Sequence, residues 1–293
     1  MKNIVCFGEV LWDMLPSGKK LGGAPLNVAL RAQSFGNNAT VISSIGNDIQ
    51  GQEILKEMKT YKADIGHIQV SRNFATSEVL VSLNERGSAS YEITMPCAWD
   101  DIELSDKDVE SVKSSDAFIY GSLVARTQKS RNTLFELLKH APFKIFDVNL
   151  RPPHYEMTTL LPLMKAADLI KLNDDELFEI CARLGYASQS IEESINFLGN
   201  KTNTGRICVT CGKHGAILFI NNQFIKNKGY KIRVADTVGA GDSFLASLVS
   251  KLLNGDSPAE ALDFACAVGA IVASKSGANP TVSMAEIDDM MQS

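Results

Sequence analysis

Short apolar-rich runs alternate with segments of helical spacing over most of the chain. Asn3–Phe7 and Ala39–Ile45 are such runs, typical of strands that are buried on both faces of a sheet. The segment between them has apolar residues at helical spacing, with Gly22–Gly23 before it, Pro25 in its first turn and Gly36 at its end. This alternation predicts an α/β protein with a doubly wound, mainly parallel sheet and helices on both faces.

The same alternation continues after residue 101. The predicted strands are Asp116–Tyr120, Phe143–Val148, Leu169–Leu172 and Arg206–Thr210, and the predicted helices are Lys129–Lys139, Leu160–Ala166 and Pro258–Ala273. Ala216–Ile220 follows the last of these strands after a short turn, so we expect the two to pair as a hairpin. The α/β pattern extends over residues 1–293, which we expect to form a single domain.

The alternation of strands and helices is interrupted between about residues 66 and 99. Here the segments IQVSR, SEVLVSLN and ASYEITM alternate apolar and polar residues, and Asn84–Gly87 has the composition of a hairpin turn. Strands of this kind have one face covered by solvent or by a partner. We expect a small antiparallel sheet, with strands at about 11–20 and 67–98, that acts as a lid, as a dimer surface, or as both.

Composition restricts the class of protein. The chain has 293 residues, 45% hydrophobic residues and a net charge of −5, as expected of an ordinary globular protein. No run of Lys and Arg offers a face for nucleic acid, and no apolar run approaches the ~20 residues of a membrane span. The first ten residues enter a strand pattern directly, without the features of a signal peptide. We therefore expect a cytoplasmic protein with no nucleic-acid or membrane partner.

Two of the six cysteines, Cys208 and Cys211, have the spacing of a redox or zinc motif. They lie in a predicted strand, where residues three apart point to opposite faces of the sheet. The sequence also lacks a second Cys or His pair that would complete a tetrahedral zinc site. We therefore expect both thiols to be core residues.

The segment Asp236–Leu253 combines a turn without large side chains and a predicted helix that Gly255 is suited to close. The turn is Gly239–Gly241. Unpaired N–H groups at such a helix start bind anions, and glycine lets an anion approach the backbone. Asp242 lies in the same first turn, where it either takes a proton from an attacking hydroxyl or merely complements the helix dipole.

Polar residues at two other places suit ligand binding. Asn27 lies in a first helical turn beside Gly22–Gly23, where it either contacts a ligand or caps the chain locally. Arg151 follows a predicted strand in the sequence DVNLRPP, at the edge of the sheet where doubly wound proteins bind their ligands. Its guanidinium suits phosphate oxygens, and a surface ion pair is the alternative.

Three further segments supply candidate nucleotide or metal contacts. Asn173 and Glu176 are three residues apart where a strand passes into a helix, a spacing that suits either a Mg²⁺ site or a helix dipole. Thr210 and Gly212 follow a predicted strand at a point where a nucleotide would fit. Asn279 lies in a loop that would flank a base or a ribose.

Over nearly its full length the chain resembles the ribokinase-type (PfkB-type) carbohydrate kinases. GGAPLNVAL resembles the first signature of that family and DTVGAGDSF its second, about 210 residues later. DVNLRP, NDDE and VTCGKHGA lie between them in the family's order and approximate spacing. The two signatures together are specific, whereas any one of these motifs alone would be weak.

The resemblance implies that MgATP donates its γ-phosphoryl group to a sugar hydroxyl. It implies Asp242 as the base, Gly239, Ala240 and Gly241 as the anion hole, and Arg151 as a further stabiliser of the transferred charge. Asp13, Gly23 and Asn27 match the sugar-binding positions. Asn173 matches a position near Mg²⁺ and the phosphates, and Glu176 one that holds Mg²⁺ directly or through water. Thr210, Gly212 and Asn279 match or flank the nucleotide site, and the inserted strands match a lid that often forms a homodimer.

The resemblance also bears on the substrate and on a second cation. GEVLWDMLPSGKKLGGAP, YEITMPCAWDDI and DVNLRPP look most like fructokinases, which points to D-fructose and its 6-hydroxyl. A 2-keto-3-deoxygluconate kinase is the alternative within the class, followed by a nucleoside kinase. The family often uses a monovalent cation such as K⁺, and Asp236 and Val238 match positions that would contribute to that site. Cys266 replaces an Asn that contacts the nucleotide in many relatives.

One alternative belongs to another class, namely a sugar-binding regulator that has kept the fold and lost the chemistry. The chain carries Asp242, the Gly239–Gly241 turn and the Asn173–Glu176 pair together. A decayed site would have lost at least one of them, so the sequence favours an enzyme.

Overall fold

The computed structural model describes residues 1–15, 18–83 and 89–293. The strands are β1 Asn3–Phe7, β2 Leu11–Leu15, β3 Gly18–Gly22, β4 Asn38–Gly46, β5 Ile68–Ser71, β6 Ser77–Leu83, β7 Ala89–Ile93, β8 Ala117–Gly121, β9 Lys144–Asp147, β10 Leu169–Asn173, β11 Ile207–Thr210, β12 Ala216–Ile220 and β13 Gln223–Asn227. The α-helices are α1 Ala24–Ser34, α2 Ile49–Thr60, α3 Asp106–Lys113, α4 Gln128–Leu138, α5 Met157–Ala166, α6 Asp174–Arg183, α7 Ile191–Thr202, α8 Ala240–Leu253, α9 Pro258–Ala273 and α10 Met284–Met291.

One large sheet has the strand order β13-β12-β11-β10-β9-β8-β1-β4-β5. Its strands from β11 to β5 are parallel, and β12 and β13 add an antiparallel edge through the expected hairpin. The chain runs from β1 to β4 on one side and returns to β8 on the other, so the strand order reverses at β1. In doubly wound sheets, ligands bind beyond the carboxyl ends of the strands at such a reversal. The predicted fold class is confirmed.

Alternation along β1 explains the two hydrophobic layers. Ile4 and Cys6 pack into a cluster with residues of α1, α2 and α8, whereas Val5 and Phe7 pack into a second cluster with residues of α4 to α7. The same rule separates the two cysteines of β11 and its following turn, because Cys208 and Cys211 are buried in different clusters. The expectation that these thiols are core residues is confirmed.

A second, four-stranded sheet has the order β3-β2-β6-β7, and we refer to it as the lid sheet. It consists of two antiparallel hairpins joined by a parallel pairing of β2 with β6. Trp12 of β2 donates a hydrogen bond to the carbonyl of Gln50 in α2 at 3.1 Å, and Lys19 of β3 forms an ion pair with Glu53. These contacts hold the lid sheet against one helix of the main body.

One segment of the predicted small sheet was assigned wrongly. Ile68–Ser71 pairs in parallel with β4, so it is the edge strand of the large sheet rather than part of the lid sheet. The predicted turn at Asn84–Gly87 lies outside the described residues. The expectation of a single domain stays a prediction.

Helix α8 packs against α1 and α9 and carries the glycine-rich turn at its start. Arg31 of α1 is buried, and it donates hydrogen bonds to Ser243 Oγ at 3.1 Å and to the carbonyl of Pro280 at 2.8 Å. One side chain thereby ties α1, α8 and the loop after α9 together. Among the residues that the structure describes, no helix is both long enough and apolar enough to span a bilayer.

Candidate active site

A cavity of about 840 Å³ opens at the carboxyl ends of the central strands, and we call it the central cavity. The lid sheet, the loop after β9, the start of α8 and the loop after α9 all contribute to its wall. All candidate residues from the sequence line it except Ala240 and Gly212: Asp13, Gly23, Asn27, Arg151, Asn173, Glu176, Thr210, Asp236, Val238, Gly239, Gly241, Asp242 and Asn279. The fold therefore brings together residues that are up to 266 positions apart, from Asp13 to Asn279.

The turn before α8 has the geometry of an anion site. Gly239 is the N-cap residue with φ at 75°, and a Cβ atom there would lie 2.4 Å from the carbonyl oxygen of Ala278. Only glycine fits this combination of positive φ and close backbone approach. The N–H groups of Gly241 and Asp242 have no backbone acceptor among the described residues. They form the positive end of the α8 dipole at the wall of the central cavity.

Asp242 lies in the first turn of α8 at the end of a chain of side-chain amides. Asn27 donates through Nδ2 to Asp242 Oδ2 at 2.8 Å, and its Oδ1 accepts a hydrogen bond from Asn279 Nδ2 at 2.7 Å. A carboxylate accepts only, so the Asn27 amide must turn its NH₂ group toward Asp242 and its oxygen toward Asn279. Asn279 thus orients Asn27, and Asn27 orients the Asp242 carboxyl.

The surroundings of the Asp242 carboxyl make it a stronger base than an ordinary aspartate. Loss of water contact and, to a smaller extent, the nearby Asp147 carboxylate raise its pKa to about 6. Lys171, the hydrogen bond from Asn27 and Arg151 act in the opposite direction. The carboxyl is thereby ionised at neutral pH and remains basic enough to take a proton.

Glu9 is a charged residue of the cavity wall that the sequence analysis missed. It follows β1 after Gly8 and is 4% exposed. Its Oε2 has no hydrogen-bond partner among the described residues. Burial raises the pKa of Glu9 to about 7, against the opposing influence of Arg151. Its position at the end of the central strand was the available signal in the sequence.

Gly23 is packed directly on this segment. Its φ is 113°, and a Cβ atom there would lie 2.3 Å from the carbonyl oxygen of Glu9. Any larger residue would separate α1 from the end of β1. Gly23 therefore lets Asn27 reach Asp242, whatever further contact its own backbone makes.

Lys171 is the second charged residue that the sequence analysis missed, although a lysine inside the apolar strand LIKLN is itself unusual. It is 6% exposed and pairs through Nζ with Asp147 Oδ1 at 3.0 Å. A Cβ atom built on Gly241 would lie 3.2 Å from this Nζ, so the ammonium lies against the anion-binding turn, and Lys171 lines the central cavity. The second oxygen of Asp147, Oδ2, is buried and has no partner among the described residues.

Arg151 is exposed and reaches the cavity from the loop after β9. Its one hydrogen bond to the described residues runs from an Nη atom to the neighbouring Leu150 carbonyl at 2.9 Å. The surface ion pair considered as an alternative is absent from the described part of the chain. Its charge lowers the pKa values of Glu9, Asp13 and Asp242 without direct contact.

Asn173 and Glu176 form a capping box at the start of α6. Asn173 Oδ1 accepts the N–H of Glu176 at 2.8 Å, and Glu176 Oε2 accepts the N–H of Asn173 at 2.8 Å. Glu176 Oε1 accepts the N–H of Leu150 at 2.7 Å. Both carboxylate oxygens are therefore committed to backbone donors, which favours a contact to a metal through water over direct ligation. No cluster of three or more His, Cys, Asp or Glu side chains that would hold a metal occurs among the described residues.

Asp236 ties two loops of the cavity wall together. Its Oδ1 accepts the N–H of Val238 and its Oδ2 the N–H of Gly277, both at 3.0 Å. Thr210, at the end of β11, is level with Asn173 of β10 in the parallel pairing. Gly212 starts the following turn with φ at 52°, and it does not line the central cavity.

Asp13 is the candidate residue that the lid sheet contributes. It lies on β2, and burial raises its pKa to about 6 against the influence of Arg151. A Cβ atom on Gly22 would lie 2.3 Å from Asp13 Oδ2, so this carboxyl packs against the backbone that leads into α1. A shift of the lid sheet therefore moves a carboxyl relative to Asn27.

The chain is similar to known carbohydrate kinases in sequence and in fold. The pattern that describes the pfkB family carbohydrate kinases matches residues 1–284. A fructokinase of Salmonella typhimurium is 27% identical over 270 residues, which cover 86% of this chain and 85% of the relative. An uncharacterized sugar kinase from Pyrococcus horikoshii, solved in complex with ATP, is 25% identical with a TM-score of 0.82 over 99% of this chain and 97% of its own. A double mutant of fructokinase from Vibrio cholerae O395, solved with fructose, ADP and a potassium ion, shares the fold at 22% identity, with a TM-score of 0.84 over 99% and 98% of the two chains.

Proposed function

The chain belongs to the pfkB family of carbohydrate kinases, and on this basis we propose that it transfers the γ-phosphoryl group of ATP to the 6-hydroxyl of D-fructose. Fructokinases are prominent among its relatives, at 27% identity in Salmonella typhimurium and in Oryza sativa subsp. japonica. The solved fructokinase of Vibrio cholerae O395 contains fructose and ADP. These names support the choice of sugar, and the geometry of the central cavity supports the chemistry.

The arrangement of Asp242 carries the proposal. A carboxylate beside an anion site repels the anion, so its presence there favours a catalytic role. Asn27 holds this carboxyl in one orientation, and Asn279 in turn orients Asn27. We assign Asp242 as the general base that takes the proton of the attacking hydroxyl. The dipole alternative does not account for the amide chain that orients the carboxyl.

The sugar is proposed to lie between the lid sheet and the start of α1. Asp13 and Asn27 offer polar atoms from the two sides, and Gly23 lines the cavity between them. This arrangement would bring one hydroxyl against Asp242. The lid sheet would exclude water, which limits the loss of ATP by hydrolysis.

Charge on the transferred phosphoryl group is proposed to be held by the turn at Gly239, Ala240 and Gly241 together with Arg151. The turn offers backbone N–H groups and the dipole of α8. Arg151 is free of any ion pair to the described residues and offers a forked donor suited to phosphate oxygens. These groups act where negative charge develops and require no reorganisation.

Mg²⁺ is proposed to enter with the nucleotide phosphates, whose charge it would partly neutralise. The committed oxygens of Glu176 fit a contact through water, and Asn173 lies beside it in the capping box. Sites with few protein ligands and several waters are usual for Mg²⁺ in phosphoryl-transfer enzymes. Glu176 would also keep the loop that carries Arg151 in place through its bond to Leu150.

The nucleotide is proposed to lie across Thr210 and Gly212 and the loop that contains Asn279. The hydrogen bonds of Asn279 link this loop to Asn27, so it would connect nucleotide and sugar sites. Asp236, together with the Val238 backbone, is proposed to support a monovalent cation such as K⁺. The loop after α9 also lies beside this proposed cation site, because Gly277 donates its N–H to Asp236 and Ala278 packs on Gly239.

The experiment that tests the function is ADP release from MgATP with a panel of acceptors: D-fructose, 2-keto-3-deoxygluconate, ribose, glucose and adenosine, each with and without K⁺. Turnover with fructose above all other acceptors is expected. Turnover with another acceptor would keep the kinase and overturn fructose as the substrate. Tight sugar binding by calorimetry without any ADP release would overturn catalysis and identify a sugar-binding regulator.

A further inference from the structure

A buried ion pair lies against the catalytic turn, with its lysine at the wall of the central cavity, and the proposed binding of sugar and nucleotide gives it no role. Lys171 of β10 and Asp147 of β9 are 6% and 3% exposed and are joined at 3.0 Å. Neighbouring parallel strands bring the two residues level, since Lys171 and Asp147 are register partners. Burying such a pair costs more free energy than burying two apolar side chains of similar volume. Its retention therefore calls for a role beyond stability.

The pair is placed so that both charges act on Asp242. Lys171 Nζ lies 3.2 Å from the position of a Cβ atom on Gly241, the residue before Asp242. Asp147 uses one carboxylate oxygen on Lys171 and leaves Oδ2 buried without a partner among the described residues. An unpaired buried oxygen is one that keeps its negative potential, because neither water nor a donor screens it.

Lys171 stays charged in this environment. Burial alone would lower the pKa of Lys171, but the carboxylates of Asp147, Glu176 and Asp242 outweigh burial, and the pKa is raised. At Asp242 the two members act in opposite directions, with Asp147 raising the pKa of the carboxyl and Lys171 lowering it. The other charged groups that face Asp242 are Arg151, from the loop after β9, and Glu9, from the end of β1.

We propose that the Asp147–Lys171 pair tunes Asp242 as a base, with Lys171 holding the carboxyl ionised and Asp147 orienting Lys171 while keeping the carboxyl basic. Neither residue transfers the proton, so both are positioning residues. This inference rests on the proposed role of Asp242. It predicts that removal of either charge moves the acid limb of catalysis, and that the two removals move it in opposite directions.

The test compares the pH dependence of kcat/KM for the sugar in wild type, Lys171→Met and Asp147→Asn. Loss of the ammonium makes ionisation of Asp242 harder, so Lys171→Met is expected to move the acid limb up by about one pH unit. Loss of the Asp147 charge makes ionisation easier, so Asp147→Asn is expected to move it down by a similar amount. A packing defect would lower kcat/KM at all pH values without moving the limb in either direction.

Two further variants secure the comparison. Lys171→Met leaves a buried unpaired carboxylate and is at risk of misfolding. The double variant Asp147→Asn/Lys171→Met removes that charge. The difference between its acid limb and that of Asp147→Asn gives the effect of Lys171 alone. Lys144→Met, at the other end of β9, breaks a more exposed Lys–Asp pair, with Asp168 at 3.1 Å, and is expected to leave the limb in place.

A ¹³C NMR titration of the Asp carboxyls in the ligand-free protein, with Asp242→Asn used for assignment, gives a readout that does not depend on turnover. Opposite shifts of the Asp242 signal in the two single variants are expected. Unchanged titration and an unchanged limb, together with an inactive Asp242→Asn variant, would overturn this inference alone. An active Asp242→Asn variant would overturn the proposed base, and the inference with it.

Discussion

Asp242 is surrounded by groups that fix both its direction and its charge. Its carboxyl accepts a hydrogen bond from Asn27, and burial, Asp147 and Lys171 act on its pKa. A group that merely complements a helix dipole needs none of these contacts, because dipole stabilisation is available to any exposed acid in the first turn. These contacts favour the general base that we propose over the dipole interpretation.

Replacement of Asp242 by Asn is expected to lower kcat by about 10²- to 10⁴-fold, the usual contribution of a general base, and to leave sugar affinity within a few-fold. Asn keeps the size of the side chain and removes the proton acceptor. Steady-state ADP release and calorimetry measure the two effects. The matched control is Asp106→Asn, because Asp106 is an exposed acid in the first turn of α3, away from the central cavity. Near-normal turnover of Asp242→Asn would reject the base.

The pH profile follows from the same carboxyl. Since the pKa of Asp242 is about 6 and a base must be ionised, kcat/KM is expected to be level above neutrality and to fall about tenfold per pH unit below pH 6. Asp13, at about 6, and Glu9, at about 7, titrate nearby, so the observed limb belongs to the group of carboxyls. An acid limb near pH 4, the value of an ordinary aspartate, would contradict the raised pKa.

Glu9 offers a test of stability against pH. Its pKa is raised from 4.5 to about 7 in the folded protein, so the folded state binds the proton more tightly than the unfolded state. The stability gained from protonation is complete below pH 4.5 and is lost as the pH rises through about 7. Glu9→Gln is therefore expected to have a free energy of unfolding about 1 to 3 kcal/mol higher than wild type at pH 8. At pH 4 the two proteins are expected to be equally stable, and denaturant unfolding at both pH values measures the difference. Equal stability at pH 8 would show that the charge is not desolvated.

The sequence predicted the residues of the site that lie in glycine-rich motifs and missed those that depend on packing. Asp242 and Asn27 lie near glycines that close backbone approach requires, and those glycines are visible in the local sequence. Lys171 lies within an apolar strand and Glu9 shortly after one, and only the fold brings both near Asp242. Hydrogen bonds such as that from Asn279 to Asn27 join positions 252 apart, and no local pattern encodes them.

Helix α8 has a glycine at each end, and the two have different tasks. Gly239 has a positive φ and contacts the Ala278 backbone, whereas Gly255 has a φ of 87° and open space around its Cβ position. Gly239→Ala is expected to lose most activity and more than 2 kcal/mol of stability, because strain and a backbone clash add together (about 1 to 3 kcal/mol for the strain alone). Gly255→Ala, the matched control, is expected to lose about 1 kcal/mol and keep its turnover. Kinetics and urea unfolding of both variants decide the matter, and equal losses would argue against the close contact at Gly239.

The misassigned strand shows a limit of periodicity at the scale of elements. The segments of β5 and β7 both alternate apolar and polar residues in the sequence, although β5 belongs to the large sheet and β7 to the lid sheet. Period-2 patterning reports that one face is covered, not which sheet covers it. Helix α2 connects β4 to β5, which pair in parallel, and only the three-dimensional pairing reveals this arrangement.

At the scale of the whole molecule, the site lies where the topology reverses. The strand order changes direction at β1, so the loops after β1 and β9 diverge and leave the central cavity between them. The lid sheet is inserted after β1 and after β5, and it covers that opening. The alternation of strands and helices in the sequence was sufficient to predict this location, since doubly wound sheets place ligands at the reversal.

The lid sheet has a second face, which bears on assembly. Val79 of β6 is buried and lines the central cavity, whereas the next residue, Leu80, points to the opposite face and is 50% exposed. Its register partner on β2 is Met14, a second apolar side chain that is half-buried. We predict that this outer face forms the homodimer contact that the sequence led us to expect.

Leu80→Lys is expected to convert a dimer into a monomer, because a charge at a mirrored contact meets its own copy across the two-fold axis. Sedimentation velocity at several protein concentrations measures the change. Leu104→Lys is the matched control, since Leu104 is 46% exposed and lies outside the lid sheet, and it is expected to leave the dimer intact. If the wild type sediments as a monomer at all concentrations, or if both variants dissociate alike, the outer face of the lid sheet is not the contact. Should the dimer dissociate with Leu80→Lys while kcat is retained, the lid closes over the sugar without help from a partner, and assembly and catalysis are separate properties of the same sheet.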